Sequence, residues 1–175
     1  MAKERETMIS KTQGPKQQLN KKQGPEHTDP SLQQAAKRYI IVVDDDEEDR
    51  QLFVLALQQL KLNAKIDTFN NGVDLMAKLM EPMGERPDLI FLDLNMPLMN
   101  GEECLADIRH EIRLKEVPIV IYSGYYDRHK LKILKGKGAD HFFKKPNTFS
   151  QLKSLIKESI ATIENRKGLK DFFIR

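Results

Sequence analysis

Between Tyr39 and Ile163 short apolar runs alternate with stretches of helical periodicity, five of each, and that alternation leaves few folds open. Ile40–Asp45 is a β-run. Asp46 and Asp49 bracket Glu47 and Glu48 as an acidic helix start, and Phe53, Ala56, Leu57 and Leu60 follow at helical spacing. Ala64–Phe69 is a second, more polar strand, ended by Asn70-Asn71-Gly72. A helix through Leu75, Met76, Leu79 and Met80 follows, stopped by Pro82 and Gly84. Asp88–Asp93 is the third strand, apolar enough to be buried on both faces. Leu105, Ile108 and Ile112 line the next helix. Val117–Ser123 is the fourth strand, Tyr125–Lys135 a basic helix broken by Gly136 and Gly138, and Ala139–Lys144 the fifth strand. Thr148 and Gln151 form a capping box for a last helix on Leu152, Leu155, Ile156, Ile160 and Ile163. The pattern predicts an α/β doubly wound domain of five parallel strands and five helices, with right-handed crossovers.

In such a sheet the ligand site lies beyond the carboxyl ends of the strands. The chain puts chemistry there. Leu89-Ile90-Phe91-Leu92 runs into Asp93, Ile40-Ile41-Val42-Val43 into Asp44-Asp45-Asp46, and His141-Phe142-Phe143-Lys144 into Lys145-Pro146. An unpaired buried carboxylate is costly, so apolar strands do not end in a charge for packing reasons. A polar strand end or helix cap is the plainer reading of Asp93, but the Pro/Asn/Gly loop that follows it has no helical pattern. Helix-start charge accounts for Asp46 and Glu47, not for the whole acidic triplet. Ser123 taken alone would merely end a strand.

Composition narrows the class. A chain of 175 residues has room for one domain with a real core. No apolar run approaches a membrane span, and no apolar segment follows the basic start, so neither a membrane partner nor a secretory signal is expected. Cys104 is the single cysteine, which removes internal disulfides and cysteine metal sites and points to the cytoplasm; it is read as a small, partly buried helix residue. Residues 1–38 carry eight Lys/Arg against four Asp/Glu, while the remainder carries 21 against 22. The basic balance belongs to the tail, and a nucleic-acid face on the domain is not expected. Residues 1–36 have almost no large apolar side chains and read as a disordered polar leader, and 166–175 as a C-terminal tail whose Phe172, Phe173 and Ile174 are expected to pack back on the domain, with dimer or partner contact the alternative. His27, His110, His129 and His141 show no ligand spacing and read as surface residues.

Asp44-Asp45 after Val-Val, Asp93-x-x-Met-Pro-x-x-Asn-Gly, Ser123-Gly124 after Ile-Val-Ile-Tyr, and Lys145-Pro146 occur in that order. Together they resemble the receiver domain of two-component response regulators, over about residues 39–165. The resemblance implies a flavodoxin-like sheet of strand order 2-1-3-4-5. It implies Asp93 as phosphoacceptor, with Mg²⁺ held by Asp45, Asp93 and the backbone carbonyl of Asn95, and Asp44 acting through water. Lys145 would contact a phosphoryl oxygen, Ser123 would donate to another, and Phe142, three residues before the lysine, would follow Ser123 inward as the switch. The implied partners are a sensor histidine kinase or histidine phosphotransfer protein and an unknown output protein. The implied activity is self-phosphorylation and self-dephosphorylation rather than turnover.

Two departures carry expectations of their own. Asp46 is a spare acid that would cap the helix and leave the metal to Asp45. Tyr125 is bulky where a hydrolytic water would approach, and would slow self-dephosphorylation. Two rivals stand beside the receiver reading. A phosphohydrolase of the haloacid dehalogenase type would use Asp44-x-Asp46, Ser123 and a later lysine, but lacks a late acidic pair and leaves Asp93 unexplained. A receiver-fold interaction module that is never phosphorylated would keep the fold without the chemistry. With about a dozen residues after Ile163, a stand-alone receiver is expected.

Overall fold

The computed structural model describes residues 37–165 apart from Tyr126. The expectations for the leader, for His27 and for the 166–175 tail lie outside the described residues. The elements run β1 (Arg38–Val43), α1 (Glu47–Gln59), β2 (Ala64–Phe69), α2 (Gly72–Leu79), β3 (Leu89–Leu92), α3 (Gly101–His110), β4 (Ile119–Ser123), α4 (Arg128–Gly136), β5 (His141–Lys144) and α5 (Phe149–Glu164). All strand pairs are parallel and the order is β2-β1-β3-β4-β5.

Strand alternation splits the core into two layers. Tyr39, Ile41 and Val43 of β1 face a cluster with Leu75 and Leu79 of α2, Cys104, Leu105 and Ile108 of α3, and Leu131 and Leu134 of α4. Ile40 and Val42 face the opposite cluster, with Phe53, Ala56 and Leu57 of α1 and Leu152, Ile156 and Ile160 of α5. β3, fully buried, lies between β1 and β4 at the centre, whereas β2 at the edge is half-buried.

Several local expectations change. β1 runs from Arg38 to Val43, two residues earlier at each end than the expected run, with the chain bending at Asp45 after it. Ile112 continues the spacing of Leu105 and Ile108, yet α3 ends at His110 and Ile112 is 81% exposed. The chain turns at Glu111, so Leu114 and Val117 supply the apolar cover instead. Cys104 is fully buried rather than partly so. Asp127 caps α4, which therefore begins at Arg128, past Tyr125, and runs through Gly136. Thr148 accepts from the Gln151 amide, and their side chains bond to each other at 3.0 Å, a one-sided cap. His141 is not a surface residue: it is 1% exposed, because β5 is covered on both faces and its side chain shares the α1/α5 face with Phe143.

Candidate functional site

Register brings the strand-end groups together. Val43 pairs with Leu92 across β1 and β3, so Asp44 and Asp93 leave the sheet side by side, and the Asp93 amide donates to the Val43 carbonyl at 2.9 Å. β1 and β3 also flank the point where strand order reverses, the usual crevice of such sheets. On the other side Ser123 pairs with Lys144, and the Lys145 amide donates to the Ser123 carbonyl at 3.0 Å. Four strand ends thus deliver Asp44, Asp93, Ser123 and Lys145 to one edge.

The loop after β3 is fixed by its backbone. The Gly101 amide donates to the Leu94 carbonyl at 3.1 Å, and a Cβ on Gly101 would stand 2.0 Å from the Asp93 carbonyl oxygen, so only glycine fits. Asn100 caps α3 in a full capping box with Glu103. The Asn95 amide donates to Asp93 Oδ2 at 3.2 Å, while its side-chain amide lies 3.4 Å from Ser123 Oγ. Ser123 is fully buried on the sheet face it shares with Phe142, whose ring is closed into the α3/α4-side cluster. Tyr125 lies beyond them, 75% exposed on the loop after β4.

Asp44, Asp45 and Asp93 each offer an oxygen within 4.8 Å of the other two. Asp44 and Asp93 are buried and Asp45 is exposed, so the group opens to solvent on one side only. Asp93 Oδ1 is buried with no hydrogen-bond partner, and Lys145 Nζ stands 3.8 Å away. Burial pushes the Asp93 carboxyl up to about 6, helped by the Asp44 charge and opposed by Lys145. A hard divalent cation with oxygen ligands would meet both the mutual repulsion and the orphaned oxygen, so the donor set fits such an ion.

Three further residues belong to the site that motif reading does not find. Tyr122 donates to Asp44 Oδ2 at 2.5 Å, its ring held against Phe53 of α1 at 4.8 Å between centroids. Burial, and then the Asp44 charge, raise its phenol well above the ordinary value. Asp49, in the first turn of α1, accepts from Lys145 Nζ at 2.9 Å, and Asp44 Oδ2 accepts from the same ammonium at 2.6 Å. Burial works against the charged Lys145, but these two hydrogen bonds together with the charges of Asp93 and Asp44 outweigh it and raise its pKa. Arg50 donates to the Asp44 and Asp45 carbonyls at 2.7 and 2.9 Å, bracing the acidic loop. Asp49 carries a faint sequence signal, since it stands three residues after the cap Asp46; Tyr122 carries none until the register is known.

Asp46 caps α1, accepting from the Asp49 amide at 3.0 Å, as its place in the triplet predicts. That removes one half of the Asp44-x-Asp46 pair a dehalogenase-type hydrolase needs. The other half, Asp44, has no exposed surface and is bonded to Tyr122, Lys145 and the Asp46 amide.

A parallel sheet in this order, with acids from β1 and β3 and a lysine after β5, defines a receiver. The response regulator receiver domain family matches residues 40–157, more than half of the chain, and the chain belongs to it. Protein PilG of Pseudomonas aeruginosa is 28% identical over 103 residues, covering 57% of this chain and 72% of PilG. Response regulator Rcp1 of Synechocystis is 34% identical over 80 residues, 43% of this chain and 54% of that protein, so the match spans about half of Rcp1. Among solved structures, the phosphorylated cyanobacterial phytochrome response regulator RcpA matches with a TM-score of 0.68 at 28% identity, over 78% of this chain and all of that one. Chemotaxis response regulator CheY4 of Vibrio cholerae matches at 0.61 and 26% identity, over 70% of this chain and 98% of that one.

Proposed function

We propose that the unit of residues 39–165 is a phosphorylation-switched component of a two-component phosphorelay. Asp93 accepts a phosphoryl group, with Mg²⁺, from a sensor histidine kinase or histidine phosphotransfer protein in the cytoplasm. An output protein then reads the altered surface by direct contact. One observation carries the reading: the only buried carboxylate oxygen among the described residues without a hydrogen-bond partner, Asp93 Oδ1, lies 3.8 Å from an ammonium and belongs to a carboxylate grouped with two others. That the related RcpA has been solved in phosphorylated form is in keeping with it.

The chemistry assigned to each group follows from its surroundings. Asp93 Oδ1, with no donor to satisfy it, is the nucleophile: its bond to phosphorus forms as the donor's phosphorus–nitrogen bond breaks, the electron pair returning to the imidazole. Asp45, Asp93 and the Asn95 carbonyl would hold Mg²⁺, with Asp44 behind them, and the ion would offset charge on the transferring oxygens. Lys145 supplies a point charge to one phosphoryl oxygen and Ser123 its hydroxyl to another. Phe142, on the same sheet face as Ser123 and already closed into the α3/α4-side cluster, couples that hydroxyl to the surface around α4, β5 and α5 by staying packed inside when the phosphate is present. Tyr125 tunes the lifetime by restricting water. The cycle is a switch, not a turnover reaction.

Incubation with acetyl phosphate and Mg²⁺ tests this. One acid-stable, base-labile phosphate per chain is expected on intact-mass analysis, absent from Asp93→Asn and from samples with chelator. A phosphate that persists in Asp93→Asn, or none on the wild-type chain, would overturn the assignment; the latter would leave an interaction module of receiver fold.

A further inference from the structure

Lys145 does not reach the oxygen that most needs a donor. Its ammonium is 2.6 Å from Asp44 Oδ2 and 2.9 Å from Asp49 Oδ2, and stops 3.8 Å from the unpartnered Asp93 Oδ1. An ammonium on a flexible stem can redirect its donors, so a short move off Asp49 would bring one of them to Asp93. Asp49 is one of the two acids that hold the ammonium where it is. This acid stands outside the three-carboxylate group that fits a cation, and it reaches Lys145 across 96 positions of sequence. The seat has a firm floor: Tyr122 donates to the same Asp44 oxygen, and its ring lies 5.1 Å from the ammonium.

We propose that Asp49 is a positioning residue that seats Lys145 away from the acceptor, so that the ammonium must leave Asp49 before it can clamp a phosphoryl group on Asp93. The inference rests on the acceptor role of Asp93. A contact made only in the unphosphorylated state stabilises that state and so weakens phosphoryl capture. Asp49 is 43% exposed, so its contact is worth no more than an exposed ion pair, roughly a two- to five-fold bias. If Asp49 served only the dipole of α1, it would stabilise both states alike and bias neither.

Beryllium trifluoride, a tetrahedral stand-in for the phosphoryl group, provides the test. The full chain is titrated with it at saturating Mg²⁺ and followed by fluorine NMR. Asp49→Asn is expected to bind it roughly two- to five-fold more tightly than wild type, and Asp49→Glu, which restores the carboxylate, to return toward wild type. Glu48→Gln, an equal charge change on the same turn, is expected to leave affinity unchanged. In a Lys145→Met background Asp49→Asn is expected to have no effect. Equal affinity of wild type and Asp49→Asn overturns the seat alone, as does a gain that Glu48→Gln reproduces or that survives in Lys145→Met. Failure of the wild-type chain to bind at all overturns the acceptor role and the seat with it.

Discussion

A carboxylate at 3% exposure, with one oxygen lacking any donor, is a liability to the fold that holds it, and in Asp93 that liability has a sign. Its pKa rises from 3.8 to about 6, so only well below 3.8 do folded and unfolded chains carry the same proton and is the residue neutral in effect. As pH rises from 4 through 6 the unfolded chain ionises first, and stability is lost until the folded form also ionises. The full penalty above pH 6 is at most about 3 kcal/mol, taken from the rise to about 6. Asp93→Asn is therefore expected to raise metal-free stability at pH 8 by about 1–3 kcal/mol, a gain that shrinks to a small fraction of that near pH 4. Urea unfolding at both pH values checks this, and equal curves at pH 8 would refute it. Asp93, Asp44 and Lys145 are legible in the sequence because a charge ending an apolar strand has few bland explanations. Tyr122 is not, because a tyrosine inside an apolar strand looks like core, and only the pairing of β1, β3 and β4 brings its hydroxyl to Asp44.

Within single elements the strand–helix alternation predicts existence and order well, and fails where a side chain's neighbours come from elsewhere. His141 shows this. It opens a four-residue strand directly after Asp140 and shows no ligand spacing, which suggests a surface position, yet it is buried against Val120 of β4 on the α5 side. Neither ring nitrogen has a hydrogen-bond partner, and burial lowers its pKa. The unfolded chain takes up its proton first as pH falls through about 6.5, so stability is lost below that pH, opposite in sense to Asp93. His141→Leu is expected to stabilise the domain by about 1–2 kcal/mol at pH 7, by removing two unsatisfied polar atoms from β5. The gain should grow toward pH 5.5. Thermal unfolding across that range decides it: a loss of stability at every pH would show that the ring makes contacts leucine cannot replace. α3 fails differently. Its apolar spacing continues to Ile112, but the chain turns at Glu111, a boundary that no strong breaker in the sequence marks.

Across the described residues, two layers of helices enclose a sheet with the candidate site at its carboxyl edge, and metal binding there should stabilise the domain. An ion that binds the folded chain and not the unfolded one stabilises it by mass action, about 2.7 kcal/mol at one hundred times its dissociation constant. Mg²⁺ is accordingly expected to raise the melting temperature of the wild-type chain at pH 8, and chelation to reverse the rise. Asp45→Ala, which removes the exposed acid of the group, should abolish most of the shift without changing the metal-free melting temperature by more than a degree or two. An unchanged Mg²⁺ effect in that variant would move the cation elsewhere. Fold class and strand order are legible because five apolar runs alternate with five helical ones. The clasp of α1 onto Lys145 is not, since it depends on how α1 is placed against the end of β5. The chain has no tryptophan and four tyrosines, so its near-ultraviolet emission comes from phenols alone. One of those phenols is bonded to an acid of the candidate site, so cation binding beside it is expected to change the tyrosine emission without any attached dye.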